Sequence, residues 1–144
     1  MLPESTATLP IFRATRLILR QRDMCDLDAC LAMDRDPLVT RFIRGPWADP
    51  AAHRAFVDER IRHAYPRGMG YWSILAPSFT AGILLTPLDL HGPEIEMGWR
   101  LIRSTWGHGY ATEAARPVLD GAVPYGERTV RHQWWLARRL NRSS

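Results

Sequence analysis

Alternating apolar and polar positions, replaced in places by helical spacing, divide the chain into strands and helices. Leucine and isoleucine alternate with arginine over RLILRQ, residues 16–21, which predicts a strand. Asp23 is placed to cap a following helix. A second helix is predicted to begin at Asp49–Pro50, because proline is tolerated in a first helical turn, and to end before Pro66. The first half of the chain therefore reads as one strand and two helices.

The spacing of apolar residues changes from Gly70 onwards. The segments GYWSILAP, TAGILLTPL and PEIEMGWRLI predict three successive strands separated by turn residues. A helix is predicted over WGHGYATEAARPVLDGA, residues 106–122, and Pro117 is expected to kink or shorten it. One more short strand is predicted at residues 128–134. The order strand, two helices, three strands, helix and strand indicates an α/β fold.

The amino-acid composition and the distribution of charge exclude some classes of function. The chain has 144 residues, enough for one domain that buries about two thirds of its unfolded surface. All 19 basic residues are arginine, which excludes a Schiff-base lysine mechanism. Residues 1–115 hold 13 arginines and 13 acidic residues, and residues 116–144 hold six and two, so the net charge of +4 lies in the last fifth of the chain. This split disfavours a uniformly basic nucleic-acid-binding protein.

Several other classes lack the sequence features that they need. No apolar stretch approaches the ~20 residues of a membrane span, and the N-terminus does not resemble a signal peptide. Cys25 and Cys30 do not form a CxxC pair, and the five histidines have no metal-ligand spacing with Asp, Glu or Cys. We therefore expect a cytoplasmic protein with no metal site and no membrane partner.

The segment GWRLIRSTWGHGYATEAA, residues 98–115, carries the candidate chemistry. A turn with Gly107 and Gly109 that opens a helix presents unpaired backbone N–H groups at the positive end of the helix dipole, which suits a phosphate. A Walker loop is excluded because the chain has no lysine. A Rossmann fingerprint is disfavoured because Thr112 stands in place of its third glycine and too little chain follows.

WGHGYATEA, preceded by EIEMGWRL, resembles the acetyl-CoA-binding segment of the GNAT superfamily of N-acetyltransferases, and most closely the ribosomal-protein-alanine N-acetyltransferase branch. The superfamily pattern Gln/Arg-x-x-Gly-x-Gly/Ala falls on residues 106–111, with Trp106 in place of Gln/Arg. RLILR, DPLVTRFIRG and GYWSI extend the resemblance in the same order, so that it covers residues 14–123. The implied fold is a mixed, mostly antiparallel sheet flanked by helices.

The resemblance also implies a cosubstrate and its contacts. Acetyl-CoA would place its pyrophosphate on the glycine turn, and its pantetheine arm would pair like an added strand with the main chain near Leu101 and Ile102. A backbone N–H between Trp99 and Leu101 would polarise the thioester carbonyl. The implied cofactor-binding residues of the turn are Trp106, Gly107, His108, Gly109, Tyr110, Ala111 and Thr112.

The acceptor implied by the resemblance is the primary amine of a protein N-terminus or of a small molecule, and it must lose a proton in order to attack. Glu96 and Glu94 lie on one face of the predicted strand and are the candidate bases, with Glu96 favoured because it lies nearer the thioester. The alternative is that both are solvated strand carboxylates.

The resemblance stops after Val123. We expect a flexible arm at residues 1–13, an acetyltransferase domain at 14–123 and a divergent basic tail at 124–144, without the last helix and closing hairpin of the family and with impaired turnover. In an alternative reading, the chain is a non-catalytic relative or a binding module whose segment RHQWWLARRLNR contacts nucleic acid.

Overall fold

A computed structural model describes residues 8–87, 94–121 and, for the backbone alone, 130–132. Its centre is one six-stranded sheet in which the strands follow one another in chain order. Neighbouring strands are antiparallel except for the last pair, which is parallel. The strands are β1 (Phe12–Arg13), β2 (Ile18–Gln21), β3 (Gly70–Leu75), β4 (Phe79–Pro87), β5 (Ile95–Leu101) and β6 (Val130–His132). The expected mixed, mostly antiparallel sheet is therefore confirmed.

Aspartate side chains begin the helices of the first half of the chain, as their positions predict. Asp23 accepts a hydrogen bond from the N–H of Cys25 at 2.7 Å and starts a 3-10 turn that leads into the first helix. Asp49 accepts from the N–H groups of Ala51 and Ala52 and begins the third helix. The helices are α1 (Leu27–Asp34), α2 (Pro37–Thr40), α3 (Pro50–Arg62) and α4 (Tyr110–Gly121).

Two details differ from the sequence predictions. β1 lies inside the segment expected to be an arm, where it pairs with β2 through Phe12 and Leu19. α4 continues beyond Pro117 to Gly121, so the proline does not shorten the helix. The side chain of Val118, directly after the proline, is buried in the core, and this packing offsets the lost backbone hydrogen bond.

The two faces of the sheet have different chemistry. On one face, strand residues such as Ile83 and Met97 form an apolar core with Ala114 and Val118 of α4. On the other face, α1 and α3 pack together through a smaller apolar cluster, and the strand residues below them include charged and small ones. Strand alternation therefore directs the even-numbered positions of β5 from Glu96 to Arg100 towards α1 and α3.

A buried carboxylate joins α1 to this polar face. Asp26 is 4% exposed and accepts hydrogen bonds from both terminal nitrogens of Arg20, at 2.8 and 2.7 Å, and from the hydroxyl of Ser73, at 2.8 Å. Burial by itself raises the pKa of Asp26, but the bonds from Arg20, from the Asp23 backbone and from Ser73 bring it below its ordinary value. The ionised form is therefore favoured by folding.

We predict that Asp26→Asn lowers the free energy of unfolding by about 2 kcal/mol at neutral pH, because it leaves Arg20 without its charge partner. Since the native pKa of Asp26 lies below the unfolded one, the wild-type protein loses this contribution as the pH falls below about 4. Urea unfolding at neutral and acidic pH measures both effects. Asp28→Asn, at an exposed position of α1, is the matched control. An equal loss of stability on acidification in wild type and Asp26→Asn would contradict the prediction.

Candidate functional site

The connection between β5 and α4 is held in place by Trp106. Its ring is buried, and the indole N–H donates to the carbonyl of Leu101 at 3.0 Å, across the 3-10 turn Arg103–Thr105. The same turn is closed by the N–H of Trp106, which donates to Arg103. Trp106 thus orients the glycine turn, a positioning role that its place in the sequence motif does not reveal.

The glycine turn has the backbone geometry that a phosphate site requires. Gly107 and Gly109 have φ angles of 82° and 77°, in the left-handed region that favours glycine. A Cβ at Gly107 would meet nothing within 4 Å, so the turn faces open space. The N–H of Glu113 bonds to the carbonyl of Gly109. Within the described residues, the N–H groups of 107–112 have no such acceptor, so they are available to an anion.

Arg16 and Glu113 fasten this turn to the start of β2. The guanidinium of Arg16 donates to Glu113 at 2.7 Å and to the carbonyl of His108 at 2.8 Å, and its backbone N–H donates to Glu113 at 2.8 Å. Burial acts to raise the pKa of Glu113, but these bonds from Arg16 bring it below its ordinary value. His108 and Tyr110 stack at 5.5 Å, with Arg16 over the Tyr110 ring.

The outer edge of β5, on the side away from β4, offers backbone groups to a ligand. The N–H of Ile102 donates to the carbonyl of Thr80, and hydrogen-bonded and non-bonded pairs alternate along an antiparallel ladder. The backbone N–H groups of Arg100 and Gly98 therefore face β4, whereas those of Trp99 and Leu101 face the opposite edge. The N–H of Ile102 is already bonded to Thr80 and cannot pair with a ligand. Of the two residues predicted to pair with the pantetheine arm, only Leu101 therefore offers an outward N–H.

The described part of the last strand lies beside the beginning of that edge. β6 runs parallel to β5 from Ile95↔Val130 to Met97↔His132, where the described part of β6 ends. Beyond Met97, the outer edge of β5 continues to Leu101. The edge leads directly to the glycine turn, because β5 ends at Leu101 and α4 begins at Tyr110. An extended ligand along this edge would bring one end to the N–H groups of the turn.

Glu96 lies beside this edge, on the face towards α1 and α3. It lines a cavity of about 150 Å³ whose walls also include Arg22, Phe56 and Arg100. Glu94 lies before the first residue of β5 and does not line that cavity. The two carboxylates are two positions apart, as predicted, but of the two only Glu96 lines this cavity beside the backbone of β5.

A buried charge network, which the sequence did not predict, supports the floor of this cavity. Arg100 forms a two-point ion pair with Asp34, with nitrogen–oxygen distances of 3.0 and 3.3 Å. His53 lies 3.3 Å from the same carboxylate, and the ring of Trp47 packs against both His53 and Arg100. The paired residues are separated by 19 and 66 positions in the sequence, so no local spacing predicts these contacts. The network ties α1 and α3 to β5.

Other sequence expectations have mixed outcomes. The side chains of Trp72, Trp99 and Cys30 are buried, whereas Cys25 is exposed. Asp23, Cys25 and Asp26 lie close enough to share a metal ion, but the carboxylates there already cap a helix turn and bind Arg20. Within the described ranges, no helix has the length and apolar character to cross a membrane. Most of the segment proposed to contact nucleic acid, and the predicted tail from 133 onwards, lie outside the described residues.

Comparison with known proteins agrees with this geometry. Residues 16–144 match the family described as the acetyltransferase (GNAT) domain, and the chain therefore belongs to that family. It resembles an acetyltransferase from Agrobacterium tumefaciens at 28% identity and a TM-score of 0.60, with 81% of this chain and 68% of that chain covered. It also resembles a GNAT-family acetyltransferase from Bacillus anthracis at 16% identity and a TM-score of 0.66, with 91% and 82% covered, a likeness that concerns the fold alone.

We predict that Arg16→Ala loosens the glycine turn, because it removes the side-chain bonds that join β2 to Glu113 and His108. Amide hydrogen exchange in the peptide that contains residues 107–113 should become about tenfold faster, as expected for a lower local opening free energy. Arg62→Ala removes a comparable exposed ion pair, with Asp58 on α3, and is the matched control. Unchanged exchange in the turn of Arg16→Ala would contradict a role for the Arg16 side chain in holding it.

Proposed function

We propose that the protein transfers an acetyl group from acetyl-CoA to the primary amine of a small molecule or of a protein N-terminus. Membership of the acetyltransferase family supports acyl transfer, and family members generally use acetyl-CoA. The observation that carries the proposal is the continuity of two backbone sites: the outer edge of β5 leads into a glycine turn whose N–H groups are available to an anion.

The residues of the turn fit the pyrophosphate of this cosubstrate. The N–H groups of residues 107–112 converge at the start of α4, where the helix dipole also favours negative charge. Because Gly107 and Gly109 have no side chains, a phosphate can approach the backbone of the turn closely. The pantetheine arm would pair with the outward N–H of Leu101, the residue of β5 nearest the turn.

Chemistry would take place beside Glu96. The amine nitrogen forms a bond to the thioester carbonyl carbon, the carbon–sulfur bond breaks, and the thiolate leaves with the bonding electron pair. The outward N–H of Trp99 would stabilise the negative charge that develops on the carbonyl oxygen. Glu96, directly or through a water molecule, takes the proton that the amine must lose.

Gly109→Ala tests the phosphate site. The added Cβ makes an ordinary contact with Arg16, at 3.7 Å, but forces alanine into a left-handed conformation that costs about 1–2 kcal/mol. We predict that the KM for acetyl-CoA rises about tenfold with a small change in kcat, since a 1.4 kcal/mol loss of binding is a factor of ten. Gly68→Ala, at a φ of 81° outside this connection, is the control for backbone strain. An unchanged KM in Gly109→Ala would place the phosphate elsewhere.

Glu96→Gln tests the base. We predict that kcat/KM for the amine falls by a factor of about 10²–10⁴ and that the acidic limb of the pH–rate profile disappears, because the remaining amide cannot accept the proton. Glu94→Gln, measured in parallel, decides between the two candidates, since the larger loss identifies the base. Glu59→Gln, at an exposed position of α3, controls for the change of net charge. An unchanged pH profile in Glu96→Gln would reject the assignment.

A further inference from the structure

We propose that the acceptor carries a carboxylate as well as its reacting amine, and that Arg22 binds this carboxylate inside the cavity beside Glu96. The inference rests on the proposed acetyl transfer and names the class of acceptor: a small ω-amino carboxylate, in which several carbon atoms separate the two groups. The observations that carry it are the burial of Arg22, the charge of the cavity, and the spacing between Arg22 and Glu96.

Among the described residues, Arg22 is a buried cation without an anionic partner. It directly follows β2, its backbone N–H donates to Tyr71, and the whole residue is 5% exposed. Its guanidinium lies over the Tyr71 ring at 5.0 Å, but among the described residues no carboxylate forms an ion pair with it, and its Nε has no hydrogen-bond acceptor. Burial of a charge in this way costs folding free energy unless an oppositely charged group pairs with it.

The fold makes room for this guanidinium at a specific place on the sheet. A Cβ at Gly82 of β4 would collide with Nη2 of Arg22, so only glycine leaves the space that the side chain occupies. Arg22 and Gly82 both line the cavity that contains Glu96. The cation is therefore held against the cavity by the backbone of β4, and its planar fork suits two-point binding of a carboxylate.

The remaining charges of the cavity also favour an anion. Arg44 and Arg60 line the same space, and within the described part of the chain neither forms an ion pair. Arg100 is matched by Asp34. Glu96 is the one carboxylate among the lining residues, so arginine charge exceeds carboxylate charge around a molecule bound here. Such an excess attracts anions and disfavours acceptors that carry only positive charge.

Size and spacing define the acceptor further. Because one water needs about 15 Å³ on the same scale, a cavity of about 150 Å³ holds a molecule of roughly ten non-hydrogen atoms. Gly82, against which Arg22 lies, pairs with Arg100, and Glu96 lies four residues earlier on β5. At about 3.4 Å per residue these backbone positions are about 14 Å apart, so the separation favours an acceptor whose amine and carboxylate lie on different carbon atoms.

The test compares acceptors that differ only in charge. Acetylation of γ-aminobutyrate and ε-aminocaproate is measured against their amides and against n-butylamine, with acetyl-CoA held at saturation. We expect kcat/KM for the acids to exceed that for the amides at least tenfold in the wild-type protein. Arg22→Gln should remove this preference by raising the KM for the acids, with little change for the neutral amines. Equal use of acid and amide by the wild-type protein would overturn the inference.

Two further variants separate binding of the carboxylate from a general loss of structure. Gly82→Ala keeps the charge of Arg22 but displaces its guanidinium, so it should reproduce the loss of acid preference. Arg54→Gln, an exposed arginine of α3 outside the cavity, should leave the preference intact. If Arg22→Gln does not fold, Gly82→Ala is compared with the wild-type protein instead. If Gly82→Ala then prefers acids over amides as strongly as the wild-type protein does, this result would contradict the role of Arg22.

Calorimetric binding of the same acids and amides without acetyl-CoA makes the result independent of turnover. Binding of the acids that is weakened at least tenfold in Arg22→Gln, together with no acetylation of any amine, would uphold the carboxylate site and refute the acetyl-transfer proposal. Acetylation of neutral amines without any acid preference or acid binding would refute the carboxylate site and leave acetyl transfer standing.

Discussion

The antiparallel hydrogen bonds between β4 and β5 decide where each chemical group of the candidate site lies. The bond from Ile102 to Thr80 fixes which residues of β5 face β4, and the alternation that follows turns the backbone of Trp99 and Leu101 to the outer edge. The same alternation sends Glu96 and Arg100 to the face below α1 and α3. A slip of one residue in this register would exchange the two sets of groups and abolish the site.

The unequal faces of the sheet explain how the register is maintained. The face towards α4 is a continuous apolar core, so it stabilises the fold without any need for charge pairing. The opposite face contains buried ionic groups, which are stable there only because Asp26 is bonded by Arg20 and Asp34 by Arg100. Arg22 is the exception within the described residues. Arg22 has no such charge partner there, and this difference from Arg20 and Arg100 is the reason for assigning it a role in ligand binding.

Local features of the fold were predictable from the sequence, and long-range pairings were not. Asp23 and Asp49 were predicted as helix caps because capping depends on residues two or three positions away. The turn with Gly107 and Gly109 was predicted because glycines at a helix start let a ligand approach the backbone N–H groups closely. By contrast, the bond between Arg16 and Glu113 spans 97 positions, and the room that Gly82 leaves for Arg22 depends on three neighbouring strands. β1 was missed because two residues carry too little periodicity to predict a strand.

In the proposed function, the outer edge of β5 and the glycine turn together form one binding site for acetyl-CoA. Titration of the isotope-labelled protein with acetyl-CoA, followed through backbone amide NMR shifts, tests this proposal residue by residue. We expect large, saturable shifts for Trp99, Leu101 and residues 107–112, with smaller ones for Gly98 and Arg100, whose amides already face β4. Saturable binding that leaves the amides of 107–112 unshifted would contradict it.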